Sequence, residues 1–483
     1  MNITAINLVA TIPLLFLAGW SCLLLLVDLW IPKTKKAITA WLAFLGLVVT
    51  LILVIPQLDL REEAFGGMLA IDGFSGSLHI LFLGTGGMSV LLAINYLKRN
   101  NIERGEFYPL VLFSVIGMMT MAMAKDMIVV FLALELLSIP LYILAGFARA
   151  RPDSSESALK YFLLGAFSSA FLVYGIALVY GATGATGFSE IASSIAAEGS
   201  TNSLLLSGVG MILVGLGFKV AAVPFHMWTP DVYEGAPTLV TAFMSVGSKA
   251  GGFAALIRVL FDAFGSLSVE WVPVVAILAA LSMILGNVAA IAQYSIKRML
   301  AYSSIAHAGY ILMTCVAGGI GDLESFAASA VLFYLIAYAL TNIGTWAIVI
   351  SVERDNGRGN SLDDFTGLGK THPGLALAMA LFMLSLTGLP PTMGFVGKFY
   401  VFRVALEADY LWLVLLGVIT SLISAYYYLR VVAVMWMREG PGLAVTTRTI
   451  NLIVAITSVG TLVFGLLPGS IMALVENAVQ GVF

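Results

Sequence analysis

The sequence predicts an all-α polytopic membrane protein. Three observations carry this. The chain is 60% apolar and 11% charged over 483 residues, whereas soluble chains run about 45–50% apolar and about 25% charged. Its mean hydropathy is +1.00. Its apolar residues fall in runs of the roughly 20 residues that a membrane helix needs. Soluble enzymes, secreted disulfide scaffolds, disordered chains and nucleic-acid binders are excluded. The net charge of −3 points to no polyanionic partner.

In chain order the runs lie at 6–31, 37–56, 74–96, 107–124, 127–147, 158–181, 204–224, 238–264, 272–293, 299–318, 325–352, 373–403, 410–437 and 449–467, fourteen spans in all. The first lacks a basic lead and is too long for a signal-peptide core, so it reads as a retained span. Loops after odd-numbered spans hold fifteen Lys and Arg residues, from Lys33 and Lys98 to Arg358 and Arg448. Those after even-numbered spans hold four: Arg61, Lys125, Arg258 and Arg403. By the positive-inside rule both termini face away from the cytoplasm. The chain divides into a three-helix segment at 1–106, repeats at 107–264 and 265–437, and a closing helix at 438–483.

Four ionisable residues sit where charge is expensive: Glu135 in span 5, Lys219 in span 7, Lys249 in span 8 and Lys398 in span 12. Each costs about 2.5–3.5 kcal/mol at a helix centre on insertion scales. One buried ion pair could serve packing alone. Three lysines and one carboxylate at that depth point to function. Burial disfavours a charged lysine and a nearby carboxylate favours it. A lysine balanced between the two can take and release a proton near neutral pH, whereas arginine cannot. Glu135 is the only carboxylate near mid-membrane, which makes it the expected partner and modulator of Lys219.

Two spans carry internal breaks. Span 7 runs into AAVPFHMWTPDVYEGAPT, and span 12 holds GLPPTMGF. Run 373–403 would be about 46 Å long as a straight helix, against a hydrocarbon core of about 30 Å. Proline removes a helical hydrogen bond, and freed backbone at that depth must be buried in protein or line a watery cavity. Broken helices beside buried charges are a transporter signature. Breaks five spans apart fit two units of opposite orientation, spans 4–8 and 9–13.

Other polar residues leave alternatives open. His307 either carries protons between Lys249 and Lys398 or is a satisfied core histidine. His226 either lies in an entry path or packs beside the break. Lys160 either snorkels to the interface or reaches inward. Ser168, Ser169, Ser303 and Ser304 read as helix–helix glue, Asp28 as interfacial, and His79 and His372 as span-end residues. Cys22 and Cys315 lie in apolar runs, which argues against a disulfide or metal site. No GxGxxG or Walker-type loop occurs, so redox chemistry would sit on partner subunits.

The blocks GFKVAAVPFHMWTPDVYEGAPT, KRMLAYSSIAHAGYIL and LPPTMGFVGKFYVF resemble the antiporter-like membrane subunits of proton-pumping NADH:quinone oxidoreductase, respiratory complex I. The resemblance runs over nearly the whole chain and is nearest the branch equivalent to mitochondrial subunit 2. It implies fourteen helices, two inverted five-helix repeats and broken helices 7 and 12. It places the proton path on Glu135, Lys219, Lys249 and Lys398, with His226, Lys160 and His307 nearby. Lys398 argues against the sister subunit that carries glutamate there, and the short segment after span 14 argues against the sister with a long lateral helix. The resemblance further implies a translocase subunit without its own redox centre. NADH, FMN, iron–sulfur clusters and quinone would be handled by other subunits. The partners would be the neighbouring antiporter-like subunit, small membrane subunits and the lipid bilayer, in a bacterial cytoplasmic membrane. The rival expectations are an Mrp-type cation/proton antiporter subunit, the equivalent subunit of a ferredoxin-fed photosynthetic relative, and an inert scaffold.

Overall fold

A computed structural model describes residues 7–198, 202–354 and 359–483. The expected start of the first span at Ile6, and Arg358 in the charge count, lie outside the described residues. The first helices are α1 (Ile12–Asp28) and α2 (Ala37–Val54). A short antiparallel hairpin, β1 (Glu62–Ala64) with β2 (Leu69–Ile71), leads into α3 (Gly73–Arg99). Asp72 caps α3 through Ser75 in a reciprocal capping box, which fixes where that helix begins. Then follow α4 (Phe107–Met123), α5 (Met127–Ala145) and α6 (Pro152–Thr183). Asp126 caps α5 through Ile128, and Gly184, at φ +71°, ends α6.

Next come α7 (Phe188–Glu198), the broken pair α8 (Ser203–Val220) and α9 (Trp228–Gly235), α10 (Thr238–Arg258), α11 (Ser268–Ile291), α12 (Ile296–Gly318) and α13 (Glu324–Val352). The one-turn α14 (Leu368–Thr371) precedes the second broken pair, α15 (Pro373–Thr387) and α16 (Met393–Glu407). The chain closes with α17 (Leu411–Met437), α18 (Arg448–Leu466) and α19 (Gly469–Val479).

Every apolar run of the sequence coincides with a helix or a broken pair. Among the described residues, eleven helices are long and apolar enough to cross a membrane. The hairpin, α7 and α19 were not predicted. They are short, and neither helix carries an apolar run of spanning length.

Burial sorts the helices. Every residue of α10 is buried. Helices α12 and α13 are almost as enclosed, whereas α6 and α18 turn large apolar side chains outward. A helix buried on all sides forms the core of the bundle. Lipid is as apolar as leucine, so contact between helices depends on close packing of small residues. A Cβ on Gly286 would stand 2.6 Å from the Ala306 nitrogen, and one on Gly309 would stand 2.8 Å from the Ala279 carbonyl. These glycines let α11 and α12 touch backbone to backbone.

Candidate proton-relay site

Both breaks have the same local cause. Helix α8 ends at Ala221, which adopts left-handed φ +61°, and α15 ends at Gly388, at φ +87°. Val223–Pro224 and Pro390–Pro391 follow, each a cis peptide. Lys219 therefore lies in the last turn of α8, where the helix dipole favours a cation. Lys398 lies in the second turn of α16, yet its amine reaches back to the Thr387 carbonyl at 2.9 Å, the last residue of α15. Both lysines thus belong to the carbonyl end of a first half-helix, Lys219 by its place in α8 and Lys398 by the reach of its amine. A Cβ on Gly388 would come within 2.7 Å of Lys398 Cδ, so only glycine leaves room for that reach.

The three lysines are 3%, 3% and 4% exposed, at Lys219, Lys249 and Lys398 respectively. Hydroxyls and aromatic faces hold them. Lys219 donates to Ser138 Oγ at 2.8 Å and lies 5.9 Å from the centre of the Tyr161 ring. Lys249 donates to the carbonyl and the hydroxyl of Ser304 and lies 5.8 Å from the Tyr338 ring. Lys398 donates to Ser421 Oγ at 2.7 Å and lies 4.8 Å from the Tyr310 ring. Among the described residues, none of the three has a carboxylate oxygen within 4.0 Å.

The expected Glu135–Lys219 ion pair is therefore not closed. Glu135 accepts from Ser169 Oγ on α6. Ser138, one turn further along α5, meets Lys219 instead. The cause is helical register: residues three apart on α5 point to different neighbours, and the serine takes the inward position. Glu135 itself is only partly buried, on the outer side of α5.

His307 lies between the second and third lysines in a cage of tyrosines. Its Nδ1 is 2.6 Å from the Tyr334 hydroxyl and its Nε2 is 3.2 Å from the Tyr428 hydroxyl. A cavity of about 10 Å³ adjoins it, lined also by Thr341, Ser385 and Gly394. That is close to the least space a single water occupies. His226 is buried beside the first break, with Nδ1 unpartnered. Lys160 neither snorkels freely nor reaches Lys219. It is clasped by Glu156 at 2.8 Å and Asp231 at 2.7 Å, and Asp231 is also held by Arg298 at 2.9 Å.

Several readings need correction. Ser168 bridges α6 to α8 as helix glue, through the Gly215 carbonyl. Ser169 and Ser304, by contrast, are direct partners of Glu135 and Lys249, and Ser303 bonds Tyr428. His79 is buried two turns into α3, inside the span and not at its end, with Nε2 3.1 Å from the Met119 carbonyl. Asp28 is buried and paired with Lys36 at 2.7 Å. Arg258, counted as a loop cation, is wholly buried in α10. It makes two hydrogen bonds to Asp72, at 2.8 and 2.7 Å, and lies 5.1 Å from the Phe74 ring. Its position inside run 238–264 was the available signal. The tyrosine cage went unnoticed because Tyr334, Tyr338 and Tyr428 look like ordinary core aromatics in sequence.

The family model described as "NADH:quinone oxidoreductase/Mrp antiporter, TM" matches residues 124–424, a stretch that holds both broken pairs and all seven candidate residues. "NADH-quinone oxidoreductase subunit N" of Chloroflexus aggregans is 46% identical, over 99% of this chain and 98% of that protein. The protein of the same name from Trichlorobacter lovleyi is 44% identical over 98% and 97%. A chain in the structure of respiratory complex I from Thermus thermophilus with bound aureothin superposes with a TM-score of 0.83 at 37% identity, covering 96% of this chain and all of that one. A chain of the Mrp complex from Dietzia sp. shares the fold, with a TM-score of 0.85 at 20% identity over 98% and 97%. The chain belongs to the NADH-quinone oxidoreductase subunit N family.

Proposed function

We propose that the chain is a proton-translocating membrane-arm subunit of NADH:quinone oxidoreductase, and that Glu135, Lys219, Lys249, His307 and Lys398 carry its relay. The observation that carries this reading is the set of three buried lysines held by hydroxyls and no carboxylate. A lysine so placed has no fixed counter-charge, so its proton is free to move. Glu135 acts on Lys219 through space, one turn along α5 from the Ser138 that holds the amine. A displacement of the carboxylate changes the field at that amine while the Lys219–Ser138 hydrogen bond stays in place. The proton passes from Lys219 to Lys249, then through the tyrosine-caged His307 to Lys398. Each charge moved against 100 mV costs about 2.3 kcal/mol, so quinone reduction on other subunits must drive the transfer.

In the same reading the chain crosses the membrane fourteen times, with α8/α9 and α15/α16 each counted as one broken span. Spans 4–8 and 9–13 form inverted repeats, within the segments 107–264 and 265–437. Both termini lie on the non-cytoplasmic side of a bacterial inner membrane, as the lysine and arginine distribution supports. NADH, FMN, iron–sulfur clusters and quinone belong to partner subunits. His226 and Lys160 flank the entry side.

The test is Lys219→Ala in the assembled complex. Coupled proton pumping should be abolished while the complex still assembles. Full pumping by that variant would overturn the relay.

A further inference from the structure

Between α6, α9 and α12 lies a polar cavity of about 250 Å³, on the face that the basic loops mark as cytoplasmic. Its charged lining is Asp153, Glu156, Asp231 and Glu234 against Lys160 and Arg298, four acids to two bases, so it attracts protons. One further lining group stands out. Ser157 is 2% exposed, and its hydroxyl has no hydrogen-bond partner. It looks out from the floor of the cavity.

One helical turn deeper on the same face of α6 is Tyr161, also fully buried. Its ring stacks on Trp228 at 4.6 Å and lies 5.9 Å from Lys219 Nζ. Its hydroxyl is turned towards that of Ser248 on α10, yet neither closes a hydrogen bond. Ser157 and Tyr161 thus offer two buried hydroxyls with unfilled hydrogen-bonding capacity on one face of α6. Residues four apart on a helix share a face, so Ser157 and Tyr161 follow one another inward, and bridging water can link hydroxyls too far apart to bond directly.

We propose that Ser157 and Tyr161 form the proton entry line to Lys219, fed by the acidic cavity above them. The proposal rests on the relay reading and deepens it. A hydronium in the cavity gives a proton to the Ser157 oxygen as the serine's own proton leaves for the next oxygen. One O–H bond forms as another breaks, and Tyr161 repeats the exchange. The last proton goes to the neutral amine of Lys219, which becomes ammonium, and each hydroxyl is left as it began. Lys160 and Arg298 hold Asp231 and Glu156 at the rim and are positioning residues.

The experiment is the Ser157→Ala/Tyr161→Phe double variant in the full complex. It removes two oxygens while keeping the Tyr161 ring on Trp228 and over Lys219. In intact membranes, NADH-driven proton pumping and the turnover coupled to it should both fall roughly tenfold or more. The solvent deuterium isotope effect on turnover should rise as proton delivery becomes limiting, a change that a packing defect would not cause. Tyr161→Phe alone should move both readouts in the same direction, and it carries the test if the double variant does not assemble. Unchanged pumping and an unchanged isotope effect in the assembled variants overturn the entry line. Lys219→Ala in parallel separates the two ideas. Loss of pumping there, with none in the hydroxyl variants, overturns the entry line alone, whereas full pumping in Lys219→Ala overturns the relay itself.

Discussion

Serine hydroxyls and backbone carbonyls accept hydrogen bonds from the three lysines and tyrosine rings lie over them, so each amine is held without a fixed counter-charge. A carboxylate in those places would fix the ammonium. On the proposed relay, proton release, and not positive charge, is the property that matters. Lys398→Arg separates the two, since arginine keeps the charge and does not release its proton. In complexes shown to be fully assembled on native gels, Lys398→Arg should lower proton pumping about tenfold or more, equal to ~1.4 kcal/mol or more of barrier. A subunit that used Lys398 only as a structural cation would pump normally with arginine.

Arg258 and Asp72 show the opposite use of charge. Burial pushes the Asp72 carboxyl up. The charge of Arg258, with hydrogen bonds from Ser75 and Arg258, outweighs burial and holds it below the usual carboxylate range. A carboxyl depressed on folding stabilises above its unfolded pKa, and that contribution is lost as pH falls through the folded value. The clamp should therefore be at full strength from neutrality down to about pH 4 and weaken only in stronger acid. Arg258→Ala would strand Asp72 and cost about 3–5 kcal/mol. Thermal unfolding of the detergent-solubilised protein between pH 7 and pH 3 checks both. An Arg258→Ala protein as stable as the parent would show that the clamp contributes nothing.

At the scale of elements, the breaks were legible and their partners were not. Pro224, Pro390 and Pro391 announce broken helices, and a lysine in an apolar run is conspicuous. Where its amine points depends on a residue from a distant helix. Ser304 sits 55 residues from Lys249 and Ser138 sits 81 from Lys219, and no local pattern encodes such a meeting. For the same reason a lone mid-membrane carboxylate could suggest a Glu135–Lys219 pair but not the helical register by which Ser138 meets the amine and Glu135 meets Ser169. Amphipathic α7 and α19 are invisible to a search for long apolar runs. Gly388 is the element-scale residue to test. Alanine there meets both a left-handed backbone, at about 1–2 kcal/mol, and the Lys398 stem. Gly388→Ala should cut pumping far more than it lowers assembly, because the side chain it displaces is the lysine that reaches back to Thr387. Equal losses of pumping and assembly would mean that the glycine serves folding only.

For the whole molecule, the position of Glu135 has a consequence at the surface. A carboxylate partly exposed on the outer side of α5, facing lipid, would cost about 2.5–3.5 kcal/mol. Around it, Leu132 and Ile139 are 58% and 50% exposed, so that side of α5 is open in the isolated chain. The expectation is that a neighbouring membrane subunit covers it in the complex. On the proposed relay, movement of that neighbour would then reach Glu135 first and Lys219 through it. Single cysteines at Leu132 and Ile139 test this. In intact membranes each should resist a lipid-soluble maleimide and cross-link to an adjacent membrane subunit. In the chain expressed without its partners, both should label fully. Equal labelling in the two settings would leave Glu135 facing lipid, and the coupling signal would then have to reach Lys219 by another face of the bundle.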